Sequence, residues 1–215
     1  MGAKAFAAEG TGVIVVDLQA DFTEAKSGAL AVPGTDAPYI DAVEKATREL
    51  AQQGLPIYFT QDWHPPEHVS FYTNHPGTEP LQMIKILGRS QVMWPPHCIQ
   101  NSAGAEILVT AAGSTQTVRK GLDPDFDSYS GFADDGGRRT DLDRLLRRDG
   151  INKLIVYGLA TDYCVKATVL DAVDAGYRVR LFVDLCRGVS PDTTKRALEE
   201  MKAQGVTVGR FHGDE

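Results

Sequence analysis

Short aliphatic runs alternate with longer amphipathic stretches along this chain. Val13–Val16, closed by Asp17, is a continuous apolar run and reads as a strand buried on both faces. Tyr39, Ile40, Val43, Ala46 and Leu50 recur at helical spacing between about Asp36 and Gln53, and Gly54 supplies the stop. Pro56–Thr60, Thr117–Arg119, Lys153–Tyr157, Val179–Val183 and Val206–Phe211 read as further strands. Helices are expected from Thr140 to about Arg148, from Thr161 to Ala175, and from Ser190-Pro191 to near Gly205. In the last of these the serine caps and the proline opens the first turn.

Strands alternating with helices predict an α/β fold, a parallel sheet covered on both faces in three αβα layers. Such sheets carry their sites at the C-terminal ends of the strands. Asp17, Gln61 and Asp62, Lys120, the stretch Gly158 to Cys164, and Asp184 all follow or end strands, so they are expected at one rim. The stretch from Asp62 to Thr117 breaks the alternation. It is rich in Pro and Gly and suggests only short helices near Leu81–Leu87 and Ala105–Ala112. It also holds both tryptophans and four of the five histidines, which favours function over disorder for so long a connection.

Composition narrows the classes. The 215 residues fit a single domain spanning 1–215, with a large loop insertion at about 62–116. A net charge of -7 and only short basic clusters, Arg138-Arg139 and Arg147-Arg148, argue against nucleic-acid binding. No apolar run approaches the roughly 20 residues that span a bilayer. The N-terminus lacks the basic and apolar regions of a signal peptide, and three cysteines cannot all pair, so a reducing cytoplasm is expected.

Candidate chemistry sits on the predicted rim. Cys164 lies where a strand turns into a helix; with Thr161 as the cap, it falls in the first turn, where amides and the helix dipole favour thiolate. Taken alone, that placement leaves nucleophile and buried structural cysteine evenly matched. Cys98 and Cys186 read as structural. Asp17 is placed either to cap a backbone turn or to carry a proton for the thiol, whereas Asp21 reads as a turn residue. Lys120 is either a solvated lysine or a cation that lowers the thiol pKa and keeps Asp17 ionised. Asp62 and His64, two apart in an extended segment, share one side and with His97 form a candidate metal set, with His68 as a further ligand or supporting residue. Mixed nitrogen and oxygen donors suit zinc, iron or manganese. Phe22, Trp94 and Tyr129 are aromatics near the same rim, suited to a flat ring or to ordinary packing. His75 and His212 have no supporting context.

In order, Val16–Phe22, Gln61–Phe71, Trp94-Pro-Pro-His-Cys98, Lys120-Gly121, Tyr129–Phe132, Gly158–Val165, Asp184 and Gly188–Thr194 resemble the nicotinamidase/pyrazinamidase branch of the isochorismatase-like cysteine hydrolases. The resemblance runs from about residue 12 to the end. It implies a six-stranded parallel sheet, a catalytic trio of Asp17, Lys120 and Cys164, and metal ligands Asp62, His64 and His97. It further implies a cis peptide at Leu159-Ala160, with the amides of Ala160 and Cys164 as an oxyanion hole. The implied activity is hydrolysis of nicotinamide, and of pyrazinamide, through a cysteine thioester in NAD salvage, with one divalent ion, zinc first and iron or manganese as alternatives. A homo-oligomer is left open. The rival readings are another cysteine amidohydrolase acting on a different small amide, such as a ureido or carbamoyl compound, and a non-catalytic thiol- or metal-binding protein. Isochorismatases need no cysteine here, so Cys164 argues against them.

Overall fold

The computed structural model describes residues 9–86 and 88–211. Six parallel strands form the central sheet: β1 (Thr11–Val16), β2 (Ile57–Asp62), β5 (Thr115–Lys120), β6 (Lys153–Leu159), β7 (Arg178–Arg187) and β8 (Thr207–Gly209), in the order β5-β2-β1-β6-β7-β8. Helices α1 (Ala37–Gln52), α2 (Leu142–Arg148), α3 (Lys166–Asp174) and α4 (Pro191–Ala203) flank it, completing the three-layer αβα arrangement. β1 and β2 are buried at every residue, as central parallel strands must be when both faces are covered. The side chain of Asp36 caps α1 by accepting from Tyr39 N at 3.1 Å, and Ser190 caps α4 by accepting from Thr193 N at 3.3 Å. Tyr39, Val43, Ala46 and Leu50, the stripe seen in the pattern, are the buried side of α1, joined there by Thr47.

Chain order decides where a site can form. From β1 the chain moves outward through β2 to β5, then returns to place β6 on the other side of β1. The crevice at such a reversal, beyond the C-terminal ends of the strands, is where open α/β sheets bind ligands. Asp17 leaves β1 and Ala160 leaves β6 on either side of it. Gly158 lets the two strands approach: at φ +132°, an added Cβ would fall 2.1 Å from Val16 O, a backbone atom that cannot yield.

Several expectations are corrected. Leu81–Leu87 is not helical: β3 (Met83–Ile86) pairs antiparallel with β4 (Arg89–Val92), with alternating exposure along β3; Leu87 itself lies outside the described residues, as does His212. The expected helix at Ala105–Ala112 is a short 3-10 turn at Ala103–Ala105 followed by extended chain. The reason is tertiary: Leu108 N donates to Leu18 O and Ala20 N to Glu106 O, so this segment pairs with the chain leaving β1. The helix expected from Thr161 begins as a wider π turn, Thr161–Val165, before α3. Thr161 is the first residue of that turn, and Ala160 precedes it without a side-chain cap. Asp184 lies inside β7, where its carboxylate accepts from Phe211 N at 3.0 Å rather than joining the rim.

Candidate active site

Asp17, the first residue past β1, adopts φ 46°, an uncommon left-handed conformation for a non-glycine residue. Thr60 on β2 holds it from both ends: Asp17 N donates to Thr60 Oγ1 at 3.2 Å, and that hydroxyl donates to Asp17 Oδ1 at 2.6 Å. Asp17 Oδ2 then faces the Lys120 ammonium at 3.0 Å. Lys120 ends β5 in register with Asp62 on β2, so both side chains leave neighbouring strands at one level. Its Nζ contacts Asp62 Oδ1 at 2.5 Å, Ser128 O at 2.7 Å and Cys164 Sγ at 3.5 Å. Asp17, Lys120 and Cys164 are thus brought together from the ends of three strands, and all are buried.

The electrostatics differ from the sequence expectation at one residue. Burial pushes the Cys164 thiol well up, Lys120 opposes this, and Asp17 and Asp62 add to the rise. Burial thus works against the thiolate that the first-turn position was expected to favour, which suits a sulfur activated by a base. Burial also raises Asp17 above its ordinary value against the pull of Lys120, which suits a carboxylate that must accept a proton. Lys120 stays charged: burial disfavours the ammonium, but Asp17 and Asp62 outweigh it and hold its pKa well above the usual value.

Asp62, His64 and His97 place a ligand atom each within 4.8 Å of one another, all buried. Their partners fit them for a cation. His64 Nδ1 lies 3.1 Å from Gly121 O and His97 Nδ1 lies 2.8 Å from Pro95 O, so each Nδ1–H donates to a carbonyl and leaves Nε2 as the nitrogen open to a cation. Burial, reinforced by His64, drops His97 to about 4, so its imidazole is neutral. For His64 burial works against the charged form, yet Asp62, with Oδ2 3.5 Å from Nε2, raises it; a metal ion answers the same demand for positive charge. Asp62, which burial alone would raise, is held below the usual carboxylate range by Lys120 and His64. Asp17, Asp62 and Cys164 also lie within 4.8 Å of one another, but the Lys120 ammonium already occupies that point. His68 does not join the set. Its Nε2 is 3.0 Å from Phe126 O and its Nδ1 is 2.8 Å from Ser70 Oγ, so both nitrogens are used, with the ring packed 4.2 Å from that of His64.

A cavity of about 340 Å³ opens onto both clusters. Phe22, Leu30, Leu81, Trp94, Tyr129, Tyr163 and Val189 give it an apolar wall, and Asp62, His97, Ala160 and Cys164 lie at its polar end. Trp94 Nε1 donates to Tyr129 OH at 3.0 Å, and Tyr163 packs edge-on to Trp94 at 5.3 Å. Phe22 tilts against His97 at 5.5 Å. The Leu159–Ala160 bond is cis. A larger groove of about 1240 Å³ runs along the β5 edge, and Ser128 lines both. Its other walls carry Arg138, Arg139 and Arg144, and it reaches neither Cys164 nor the histidines.

The model of the isochorismatase domain matches residues 11–211. The chain belongs to the isochorismatase family. Within that family it is 44% identical over 201 residues to the nicotinamidase of Escherichia coli K12, covering 91% of this chain and 92% of that protein. The crystal structure of the pyrazinamidase of Pyrococcus horikoshii in complex with zinc superimposes with a TM-score of 0.80 at 37% identity, covering 94% of this chain and 99% of that one. The yeast nicotinamidase bound to the inhibitor nicotinaldehyde gives a TM-score of 0.83 at 28% identity, covering 93% and 99%.

Other supports of this isochorismatase-family site carried no signal in the linear pattern. Gln19 brackets the backbone of Asp62, donating to Asp62 O and accepting from Asp62 N, both at 2.8 Å. Asp162 accepts from Val189 N and Ser190 N and from the hydroxyl of Thr193, tying the Cys164 turn to the start of α4. Asp21, expected as a local turn residue, accepts from Cys98 N at 2.7 Å and so ties the chain after β1 to the loop that carries His97. Cys98 and Cys186 are buried and face carbonyls of Gly104 and Phe182.

Proposed function

We propose that this chain is a metal-dependent cysteine amidohydrolase that converts nicotinamide to nicotinate and ammonia, accepts pyrazinamide, and serves NAD salvage. One observation carries the reading: the Asp17–Lys120–Cys164 contacts and the Asp62–His64–His97 set meet at one ring-sized, aromatic-walled cavity. Asp62, His64 and His97 would hold one divalent ion, zinc by preference. When bound, it supplies a Lewis-acid anchor for a ring nitrogen, directly or through water.

Phe22, Trp94 and Tyr129 hold the flat ring. Asp17 takes the Cys164 proton while Lys120 offsets the charge that builds on the sulfur. The sulfur attacks the carboxamide carbon, and the amides of Ala160 and Cys164 receive the oxygen as it gains charge. When the C–N bond breaks, Asp17 returns its proton to the nitrogen, which leaves as ammonia. Water then attacks the thioester carbon and gives a proton to Asp17; nicotinate departs and the thiol is restored. We place this chemistry in the cytoplasm, because all three cysteines are free and no described helix is long and apolar enough to cross a membrane.

Ammonia release from nicotinamide, measured with zinc-loaded protein and again after chelation, tests the reading. Turnover that chelation abolishes is expected. No release from zinc-loaded protein would overturn the substrate assignment.

A further inference from the structure

Ser128 is buried, and its hydroxyl is among the few described buried side-chain polar atoms with no hydrogen-bond partner. A buried hydroxyl left unpaired is unfavourable, so it is rarely left so without a use. The rest of Ser128 is firmly placed. Its carbonyl accepts from Lys120 Nζ at 2.7 Å, and its N–H donates to Asp127 Oδ1 at 3.0 Å. It lines the same cavity as Ala160 and Cys164.

Neighbouring polar side chains of that wall are engaged. Asp127 also accepts from Gln91 at 2.9 Å, Tyr129 accepts from Trp94, and the Asp62 carboxylate is held by Lys120. On the ligand side, a heteroaromatic carboxamide has three polar groups. Its ring nitrogen is drawn to the Asp62–His64–His97 end and its carbonyl oxygen to the Ala160 and Cys164 amides. The carboxamide NH₂ has two donors; in the proposed mechanism Asp17 serves the nitrogen from the thiol side, and an N–H on the other side needs an acceptor.

We propose that Ser128 is a substrate-binding residue whose hydroxyl accepts a hydrogen bond from the carboxamide N–H, so that the site selects a primary amide over a ring ligand of equal shape without that donor. This rests on the reading of the chain as a nicotinamidase. It gives Ser128 two roles: the carbonyl steadies Lys120 and the hydroxyl orients the group that will leave.

The test compares nicotinamide with 3-acetylpyridine, in which a methyl group replaces NH₂ without adding a donor. Both are titrated calorimetrically into zinc-loaded Cys164→Ala protein, with and without Ser128→Ala. Loss of one neutral hydrogen bond should weaken nicotinamide roughly three- to ten-fold and leave 3-acetylpyridine unchanged. Ser128→Thr, which keeps the hydroxyl, should retain nicotinamide binding. Equal losses for both ligands would assign Ser128 a merely structural role and overturn the proposal, as would no loss for either. Failure of the underlying reading is seen separately, in the protein with Ser128 intact: it would release no ammonia from nicotinamide with Cys164 present and bind none with Cys164→Ala, which overturns both.

Discussion

Replacing Lys120 by Met keeps most of the side-chain volume and removes a buried cation that contacts Asp17 Oδ2 at 3.0 Å and Asp62 Oδ1 at 2.5 Å. Two carboxylates buried side by side then lose their shared countercharge. Removing one partner from a buried ion pair is unfavourable by about 3–5 kcal/mol, and at this chain length each kcal/mol moves the melting temperature by about 2–4 °C. Metal-free Lys120→Met protein should therefore melt roughly 6–20 °C below the parent near neutral pH. The sign of the pH dependence follows from the same groups. Without Lys120 the folded pKa values of Asp17 and Asp62 rise above their unfolded values, so the deficit is present above the ordinary carboxylate pKa of about 4 and fades below it, where both forms are protonated. Zinc should narrow the gap, because it supplies positive charge beside Asp62. Adding Asp17→Asn should recover part of the loss, with a coupling above about 0.5 kcal/mol. The assay is thermal unfolding by circular dichroism across pH, with and without chelator. A variant that melts within about 2 °C of the parent at every pH would refute the argument.

Cys164→Ala should abolish turnover while elemental analysis finds unchanged metal, since Cys164 is no part of the Asp62–His64–His97 set. The acid limb of kcat/KM should lie above the ordinary carboxylate value, because burial raises Asp17 and activity is lost as pH falls through its folded pKa. Thr60→Val removes a hydrogen bond that lowers that pKa, so the limb should move to higher pH; a downward shift would count against Asp17 as the base. Gly121→Ala should weaken metal binding on the order of 10–100-fold by competition titration. Gly121 sits at φ +67°, and its Cβ would lie 2.3 Å from His64 Cε1, displacing a ligand ring while Cys164 stays in place.

The strand and helix order was legible along the chain because the core-facing periodicities are local. Val13–Val16 and the Tyr39–Leu50 stripe are read from neighbours in sequence, and their burial follows once both faces of the sheet are covered. The rule that sites form at strand ends was enough to bring Asp17, Asp62, Lys120 and Cys164 to one rim. It misplaced Asp184, because where β7 ends depends on the strand beside it. The Asp62–Thr117 connection resisted reading for the same reason: its chain is shaped by long-range pairing, as where Leu108 N meets Leu18 O, rather than by its own propensities.

What residue types and spacing determined is the set of chemical capacities: a thiol, an acid, a cation, and nitrogen and oxygen donors, each following a strand. Their working state was decided by the tertiary structure. Burial pushes the Cys164 thiol up, against the pull of Lys120. His68 stands apart from the Asp62–His64–His97 cluster because Ser70 and Phe126 claim both of its nitrogens. Ser128 emerges because the elements around it bury its hydroxyl without giving it a hydrogen-bond partner. Desolvation and hydrogen-bond satisfaction depend on atoms far apart in sequence, and no local pattern encodes them.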